Sequence, residues 1–440
     1  MFKERKVKFK AISALHRAVL TGITACLILF VLADRGTAQE GKQEGQKTGR
    51  VYVMTDRAEG NTIVVLQRAA DGGLTIKAEV STGGLGNGPL PLPAPFPPFP
   101  GPSPLTSQDG LVMTEDNRFL LAVNAGSNEI SVLEVTEDGL RLVDKMPSGG
   151  VFPNSIAHHH GLVFVMNQGE LPPVLLGARP ILAGFFLDPL GRLHAIPNSS
   201  RVTGDPDVQP GEVVFSPDGR FLIITDKFNA FANDKSPALL HVLHVEDDAS
   251  TEEIGVYPAN NRAPLGADFG RHRIFAVTEA NAGFVDGNRV GIVNGSSMSS
   301  YRFTESGKLE PVSKAIGTLQ TVACWVRFTP DGRYAYVANK GSGSISSYLV
   351  SDDGELTLLN FKAADTGGVN SGPLDEAITP DGNFLYVTTG IGGLKPEDFT
   401  LPFPPNPGAV KGYRIHSDGS LTPVAEVDGF PLSVVGMVAR

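Results

Sequence analysis

Seven polar residues, each at the end of a similar short strand, are the first candidates for chemistry in this sequence. They are Asp56, Asn124, Asn167, Asp226, Glu279, Asn339 and Thr389. Two further carboxylates, Glu212 and Asp375, begin strands that precede two of these copies. A carboxylate held near others in a sheltered site has a raised pKa, as a general base near neutral pH needs. We therefore expect Glu212, Asp226 and Glu279 to lie within mutual reach, with Glu279 as the base.

Arg327 and Trp325 add a cation and an aromatic ring to these candidates. Arg327 would stabilise an oxyanion if it faces a central channel; the alternative is a salt bridge to an acid of a neighbouring repeat. Trp325 would stack on a ring-shaped ligand, or pack in the core. The other predicted ligand contacts are Asn124, Asn167, Asn339 and Asp375. Asn or Asp at a strand end commonly bonds the next turn instead.

A run of three histidines, His158 to His160, resembles a metal cluster at first sight. Consecutive residues point in different directions, and this run falls in a turn, so a solvated turn is the expectation. No Ser-His-Asp order, nucleophile elbow, phosphate-binding glycine loop or zinc spacing is present. The sequence predicts neither a metal nor a cofactor.

The elements that position these residues follow from an internal repeat. Four copies align without gaps: TEDNRFLLAVN, SPDGRFLIITD, TPDGRYAYVAN and TPDGNFLYVTT, while GRVYVMTD, GLVFVMN and RIFAVTE keep the strand without the turn. Each copy lies between an inner strand and two outer strands, which predicts four-stranded antiparallel blades. The fold class is therefore all-β, a seven-bladed β-propeller. The first copy lacks an inner strand and the chain ends on a spare one, SVVGMVAR, so this strand should complete the first blade and close the ring.

Five long segments follow second strands or join the first two blades, and these connections emerge on one face, here called the loop face. The segments include the Pro-rich residues 89–104, ELPPVLLGARP, KFNAFANDKSP, ANAGFVDGNRVGIVNG and GIGGLKPEDFTLPFPPNPG. Long loops in a compact domain are usually functional or disordered. The alternative is that proline-rich loops act only as rigid spacers. Five long loops on one face favour a functional site at the mouth of the central channel on that face.

The amino-terminal region predicts export. Basic residues precede an apolar run from Ala18 to Ala33, which is typical of a signal peptide over residues 1–38. An uncleaved anchor is the alternative, and a lipid attachment at Cys26 is disfavoured because the apolar run continues beyond it. The sequence predicts a linker over residues 39–49 and the propeller over residues 50–440. We expect a periplasmic or extracellular protein with no other membrane segment.

The charge of the exported part restricts its partners. Removal of residues 1–38 leaves 30 basic against 45 acidic residues. Such a surface repels nucleic acid and anionic lipid. A small-molecule or carbohydrate ligand and a monomeric state are expected. Cys324 is then the single cysteine, so no intrachain disulfide is available.

These repeats resemble a known family. The pattern (S/T)PDGR(F/Y), followed by a strand ending in Asn and by DG(E/S)LT, resembles the seven-bladed lactonase propellers, which include 6-phosphogluconolactonase and carboxymuconate cyclase, and the closest resemblance is to an exported bacterial branch. The resemblance runs from about Arg50 to Arg440 and implies lactone hydrolysis, with Glu279 matching the family's Asn-Glu glutamate. The family's Pro-Arg-His reads Pro210-Gly211-Glu212 in the fourth blade and Pro264-Leu265-Gly266 in the fifth. The missing Arg and His argue against an anionic phosphorylated substrate.

Two functions remain open at this point. The first is a lactonase-like hydrolase of a lactone or ester, with Glu279 as base, Asp226 or Glu212 tuning it, and Arg327 or Asn339 holding the oxyanion. The second is a non-catalytic exported propeller that binds a sugar, peptide or cell-envelope ligand on its loop face. A propeller quinoprotein is disfavoured, because such blades usually carry many tryptophans and this chain has one.

Overall fold

A computed structural model describes residues 48–88, 105, 107–169, 179–203, 208–229, 238–285, 288–390 and 407–440. The predicted signal peptide, most of the predicted linker and most residues of the five long segments lie outside these ranges. Among the described residues, none of the helices has the length and apolar character that crossing a bilayer requires.

The described chain forms seven four-stranded antiparallel blades, as predicted. Blade 1 contains β1 (Gly49–Met54), β2 (Thr62–Arg68) and β3 (Leu74–Ser81). Blade 2 contains β4 (Leu111–Met113), β5 (Phe119–Asn124), β6 (Glu129–Val135) and β7 (Leu140–Pro147). Blade 3 contains β8 (Pro153–His159), β9 (Leu162–Asn167) and β10 (Ile181–Leu187), and its outer edge is split between β11 (Leu193–Ala195) and β12 (Arg201–Val202).

The remaining blades follow the same order from the axis outward. Blade 4 contains β13 (Val208–Phe215), β14 (Phe221–Asn229), β15 (Leu239–Val245) and β16 (Thr251–Pro258). Blade 5 contains β17 (Pro264–Phe269), β18 (Ile274–Glu279), β21 (Ser297–Phe303) and β22 (Leu309–Gly317), with a separate hairpin of β19 (Ala282–Val285) and β20 (Asn288–Gly291). Blade 6 contains β23 (Ala323–Phe328), β24 (Tyr334–Asn339), β25 (Ser344–Val350) and β26 (Leu356–Asp365). Blade 7 contains β27 (Pro373–Ile378), β28 (Phe384–Thr389), β29 (Gly408–Ile415) and β30 (Leu421–Phe430). Two short 3-10 helices span Arg271–Arg273 and Gly368–Asn370.

The last strand, β31 (Met437–Ala439), is the inner strand of blade 1. It pairs antiparallel with β1, with Val53 opposite Met437 and Val51 opposite Ala439. The predicted closure of the ring by the carboxyl terminus is therefore confirmed. Closure gives both end blades two neighbours, so no blade face is left uncovered.

The repeated turn residues have a local reason. In TPDGR, the Thr329 hydroxyl donates to Asp331 at 2.6 Å and accepts the Tyr334 backbone N–H at 3.1 Å, while Gly332 adopts φ +65°. Asp331 also accepts the N–H of Arg333 at 3.0 Å. Side chains therefore accept the Arg333 and Tyr334 N–H groups, and the Gly332 N–H donates to the Thr329 carbonyl at 2.7 Å. These turns define the face opposite the loop face, here called the turn face.

The core consists of apolar layers between adjacent blades. One layer packs Val51 and Val64 of blade 1 against Tyr386 and Val410 of blade 7. The large side chains that fill such layers, including Phe275 and Tyr301 in the layer between blades 4 and 5, are fully buried. Ring closure and layer packing together hold the inner strands around one axis.

Candidate functional site

The seven inner strands are buried at the loop face and accessible at the turn face. In every blade the first residues of the inner strand are buried, and solvent reaches only the last one or two. The accessible residues nearest the axis are Val112, Met113, His158, Val214, Asp268, Arg327, Ile378 and Val438. The exposure of the inner strands therefore increases toward the turn face.

The loop-face end is filled by Leu105 and Ser107–Gly110, here called the channel plug. Leu105 is fully buried and belongs to the same apolar cluster as Leu265, Trp325 and Leu374 of blades 5, 6 and 7. The Ser107 hydroxyl donates a hydrogen bond to the Gly211 carbonyl of blade 4. The plug therefore occupies the mouth at which the sequence predicted a functional site.

Gln108 fixes the plug by bonding three blades. Its side-chain N–H group donates to the Ala267 carbonyl at 2.8 Å and to Glu212 at 3.2 Å, and its oxygen accepts the Val326 N–H at 3.1 Å. These partners belong to blades 5, 4 and 6. The amide satisfies backbone groups on the unpaired edges of inner strands, which would otherwise be buried without partners.

Below the plug lies a group of one cation and five acids, here called the channel cluster. Its members are Asp109, Glu212, Asp268, Arg327, Asp375 and Glu376. Arg327 forms an ion pair with Asp109 and donates from Nε to the Glu376 carbonyl oxygen at 3.2 Å. The side chains of Arg327 and Asp109 are 19% and 16% exposed, so the pair is within reach of a molecule in the channel. Arg327 therefore forms a salt bridge, but with Asp109 of the channel plug and not with an acid of a neighbouring blade.

Three acids of the cluster accept hydrogen bonds from the inner strand of the next blade. Glu212 accepts the Ala267 N–H of the next blade. Asp268 accepts the Phe328 N–H at 2.9 Å, and Asp375 accepts the Met437 N–H at 3.1 Å. Inner strands expose N–H groups on their channel edge, and these carboxylates supply the missing acceptors.

Burial raises the pKa of four acids of the cluster, Glu212, Asp268, Asp375 and Glu376. The pKa of Asp268 rises to about 6 and that of Asp375 to about 7, because burial outweighs the attraction of Arg327. Burial also holds the pKa values of Glu212 and Glu376 well above their usual range. Asp268 is the accessible one of these four acids. At neutral pH it is mostly ionised and able to accept a proton.

The cluster contains a cation and a carboxylate of the kinds that hydrolysis of an ester uses. Arg327 uses two of its five N–H donors on Asp109 and Glu376. A guanidinium with free N–H groups beside an ionised carboxylate can hold a developing oxyanion while the carboxylate activates water. Within the described ranges, no group of His, Cys, Asp and Glu side chains has the arrangement of a metal site.

Glu279 lies apart from this cluster and is fully buried. Its carboxylate accepts four hydrogen bonds: the N–H groups of Asn260 and Asn261 at 3.1 Å, Ser297 at 2.6 Å and Ser299 at 2.9 Å. Burial raises its pKa, and these four donors oppose the rise. The carboxylate thus ties the connection after blade 4 to blade 5. Its role as a general base stays a prediction.

Asp226 belongs to a different network near the loop face. His241 donates from Nε2 to Asp226 Oδ2 and from Nδ1 to Glu253 Oε1, each at 2.8 Å. The two carboxylates raise the pKa of His241 to about 9, against the opposing effect of burial. The imidazolium therefore holds three strands of blade 4 together.

Glu212, Asp226 and Glu279 form separate hydrogen-bond networks. Glu212 contacts the channel plug and Ala267, Asp226 contacts His241, and Glu279 contacts its four donors. Glu212 lies on an inner strand, whereas Asp226 and Glu279 lie on second strands. Their mutual reach stays a prediction.

The predicted ligand contacts on the second strands are buried between blades. Asn124 accepts hydrogen bonds from Asn61 and Thr82 of blade 1, and Asn167 accepts one from Ser148 of blade 2 at 2.6 Å. Asn339 donates to Ser346 at 2.9 Å within blade 6. Trp325 is 1% exposed and packs in the core around Leu105. The structure gives these residues packing and bonding functions; ligand contact stays a prediction.

Sequence reasoning missed Asp109, Asp268 and Glu376. Strand register could have identified Asp268. Asp268 lies opposite Ala276 of its second strand, and Arg327 lies opposite Tyr336 of its own. Ala276 and Tyr336 are equivalent, because each lies three residues before the polar residue that ends its strand. Equivalent positions in adjacent blades lie side by side. Asp109 carried no comparable signal, because it precedes its strand by two residues in a segment with no repeat partner.

Comparisons with known proteins agree with this fold. Residues 287–390 match the family model described as lactonase, 7-bladed beta-propeller. No curated protein sequence matches the chain.

Solved structures extend the likeness to the whole propeller. A proposed 6-phosphogluconolactonase from Bacteroides fragilis has a TM-score of 0.61 at 14% identity, covering 91% of this chain and 100% of that one. The periplasmic gluconolactonase PpgL of Pseudomonas aeruginosa has a TM-score of 0.59 at 15% identity, covering 89% and 99%. A hypothetical selenium-binding protein from Sulfolobus tokodaii is equally similar, with a TM-score of 0.61 at 12% identity over 89% and 93%.

At such identities these structures establish the fold alone, and the likeness to the lactonase propellers rests on the match over residues 287–390. The resemblance stated from the repeat motifs is confirmed over those residues, its exported bacterial branch stays a prediction, and the chain has the fold of a seven-bladed β-propeller.

Proposed function

We propose that this protein is a hydrolase that opens a lactone or cleaves an ester in its central channel. The observation that carries the proposal is the proximity of Asp268 and Arg327 at the accessible ends of adjacent inner strands, where each shifts the pKa of the other and burial raises that of Asp268 to about 6. A carboxylate that is mostly ionised at neutral pH and a cation with free N–H groups are the two elements that ester hydrolysis needs.

The reaction requires no further cofactor. Asp268 takes one proton from water as the water oxygen attacks the carbonyl carbon, and Arg327 donates hydrogen bonds to the oxyanion that forms. The carbon–oxygen bond of the ester then breaks, and protonated Asp268 returns the proton to the leaving alkoxide. The products are a hydroxyl group and a carboxylic acid, which releases a proton at neutral pH.

The accessible channel supports this location over the loop face. Glu279 is fully buried with four donors on its carboxylate, and the channel plug fills the loop-face mouth. A general base must come within hydrogen-bond reach of the water that it activates. Asp268 is accessible, whereas substrate contact with Glu279 would need displacement of its present partners.

Proton release by the full-length chain tests the proposal. A panel of lactones and aryl esters is offered to the wild type, Arg327→Met and Arg327→Lys. We expect turnover by the wild type and a loss of about 100-fold or more in kcat/KM for Arg327→Met, as for removal of an oxyanion donor. The Lys variant should recover part of that loss because it keeps one donor cation.

Absence of turnover across the panel by a folded chain would contradict hydrolysis. That result would favour the second function expected from the sequence, a propeller that binds a sugar, peptide or cell-envelope ligand. The bonding of Glu279 and the missing Pro-Arg-His motif are the observations that favour this alternative.

A further inference from the structure

The entrance of the channel has a chemical character of its own. Five of the accessible inner-strand residues are apolar and together form what we call the apolar collar: Val112, Met113, Val214, Ile378 and Val438. They come from the inner strands of blades 1, 2, 4 and 7, where each is partly buried against an apolar cluster and partly accessible toward the turn face. A molecule that reaches Arg327 must pass or contact this collar.

The charges behind the collar disfavour an anion. Arg327 is the one Lys or Arg on the seven inner strands, and Asp109 already neutralises it. Asp268 and Asp375 lie close enough to Arg327 to raise its pKa further. A phosphate or carboxylate group entering the channel would be desolvated next to acids, with no unpaired cation on the inner strands to receive it.

We propose that the channel admits its substrate through the turn face and that this substrate is an uncharged lactone or ester with an apolar acyl chain. The inference rests on the proposed function and specifies its substrate class. The carbonyl oxygen binds Arg327, while the acyl chain packs against the collar. The channel plug closes the opposite mouth, so the long loops do not take part in substrate admission.

Thiol labelling tests the entrance without reference to catalysis. Val214→Cys is compared with Val256→Cys, an exposed position on the outer strand of the same blade, and the unmodified chain gives the background. The reagents are N-ethylmaleimide and the trimethylammonium and sulfonate forms of ethyl methanethiosulfonate. We expect the cationic reagent to label Cys at position 214 at least tenfold faster than the anionic one, with a ratio several times smaller at position 256.

Two outcomes would overturn the proposal: no labelling at position 214 while position 256 reacts, or equal rates for both charged reagents at position 214. Substrate class is tested by kcat/KM for alkyl lactones against carboxylated or phosphorylated ones, and we expect at least a tenfold preference for the uncharged alkyl compounds. A preference for the anionic compounds overturns the substrate class. Failure to hydrolyse any lactone would overturn the proposed function, whereas the labelling result would still decide the entrance.

Discussion

Within the channel cluster, Glu376 is a buried carboxyl group whose side chain lacks hydrogen-bond donors in the described part of the chain. It is fully buried, and neither carboxylate oxygen has a hydrogen-bond partner among the described residues. A buried carboxyl group without donors is more stable as the neutral acid. Burial accordingly holds its pKa well above the usual range, although Arg327 opposes the rise. The folded protein therefore retains a proton that the unfolded chain releases above about pH 4.5.

This proton predicts a pH dependence of stability. Because the folded pKa is raised, the free energy of unfolding falls as pH increases from about 5 to 7, by up to about 1.4 kcal/mol per pH unit for this one group. Glu376→Gln should reduce the slope by that amount, measured by urea denaturation at several pH values. The exposed Glu59→Gln serves as control. Equal slopes for Glu376→Gln and the wild type would contradict the assignment.

At the scale of the elements, the inner strands are joined by side chains rather than by backbone ladders. Each inner strand pairs with one second strand only, so its channel edge depends on neighbours such as Gln108, Glu212 and Asp375 for acceptors. The channel plug therefore stabilises blades 4, 5 and 6 together. The same bonds keep Asp268 and Arg327 in register.

Removal of the plug amide tests this account of the elements. Gln108→Ala leaves the Val326 N–H and the Ala267 carbonyl without their partner, which should cost about 1–3 kcal/mol. The control Gln67→Ala removes a half-buried donor to the Gly49 carbonyl and should cost under about 1 kcal/mol. Chemical denaturation measures both. A smaller effect at position 108 than at position 67 would contradict a structural plug.

At the scale of the whole molecule, closure depends on eight residues. The segment from Ser433 to Arg440 buries Val434, Val435 and Met437, and its backbone bonds that of β1, as in the pair from the Arg50 N–H to the Arg440 carbonyl at 3.0 Å. Deletion of residues 433–440 removes this apolar burial and exposes the inner edge of β1.

We expect this deletion to lower the free energy of unfolding by roughly 5 kcal/mol or more, since each buried apolar side chain contributes about 1.5–3 kcal/mol. Loss of a single cooperative transition should accompany it. Deletion of Arg440 alone, which keeps β31, is the control. If the longer deletion melts at the same temperature as the full-length chain, the ring does not need its closing strand.

The fold was predictable because each blade repeats its own local signals. The turn chemistry of Thr329 and Asp331 and the alternation of the following strand recur from blade to blade. The site was less predictable because it joins residues from different repeats. The ion pair of Arg327 with Asp109 spans 218 positions, and burial of the loop-face mouth by Leu105 depends on the closed ring.

The central claim is that Asp268 in the channel, and not Glu279, is the base. The direct measurement is kcat/KM against pH for the wild type, Asp268→Asn and Glu279→Gln on the best lactone of the panel, with folding checked by circular dichroism. We expect kcat/KM of the wild type to rise with pH through about 6. Asp268→Asn should lose at least about 100-fold in kcat/KM, and Glu279→Gln should keep the pH profile of the wild type. Activity retained by Asp268→Asn and abolished in a folded Glu279→Gln would contradict it.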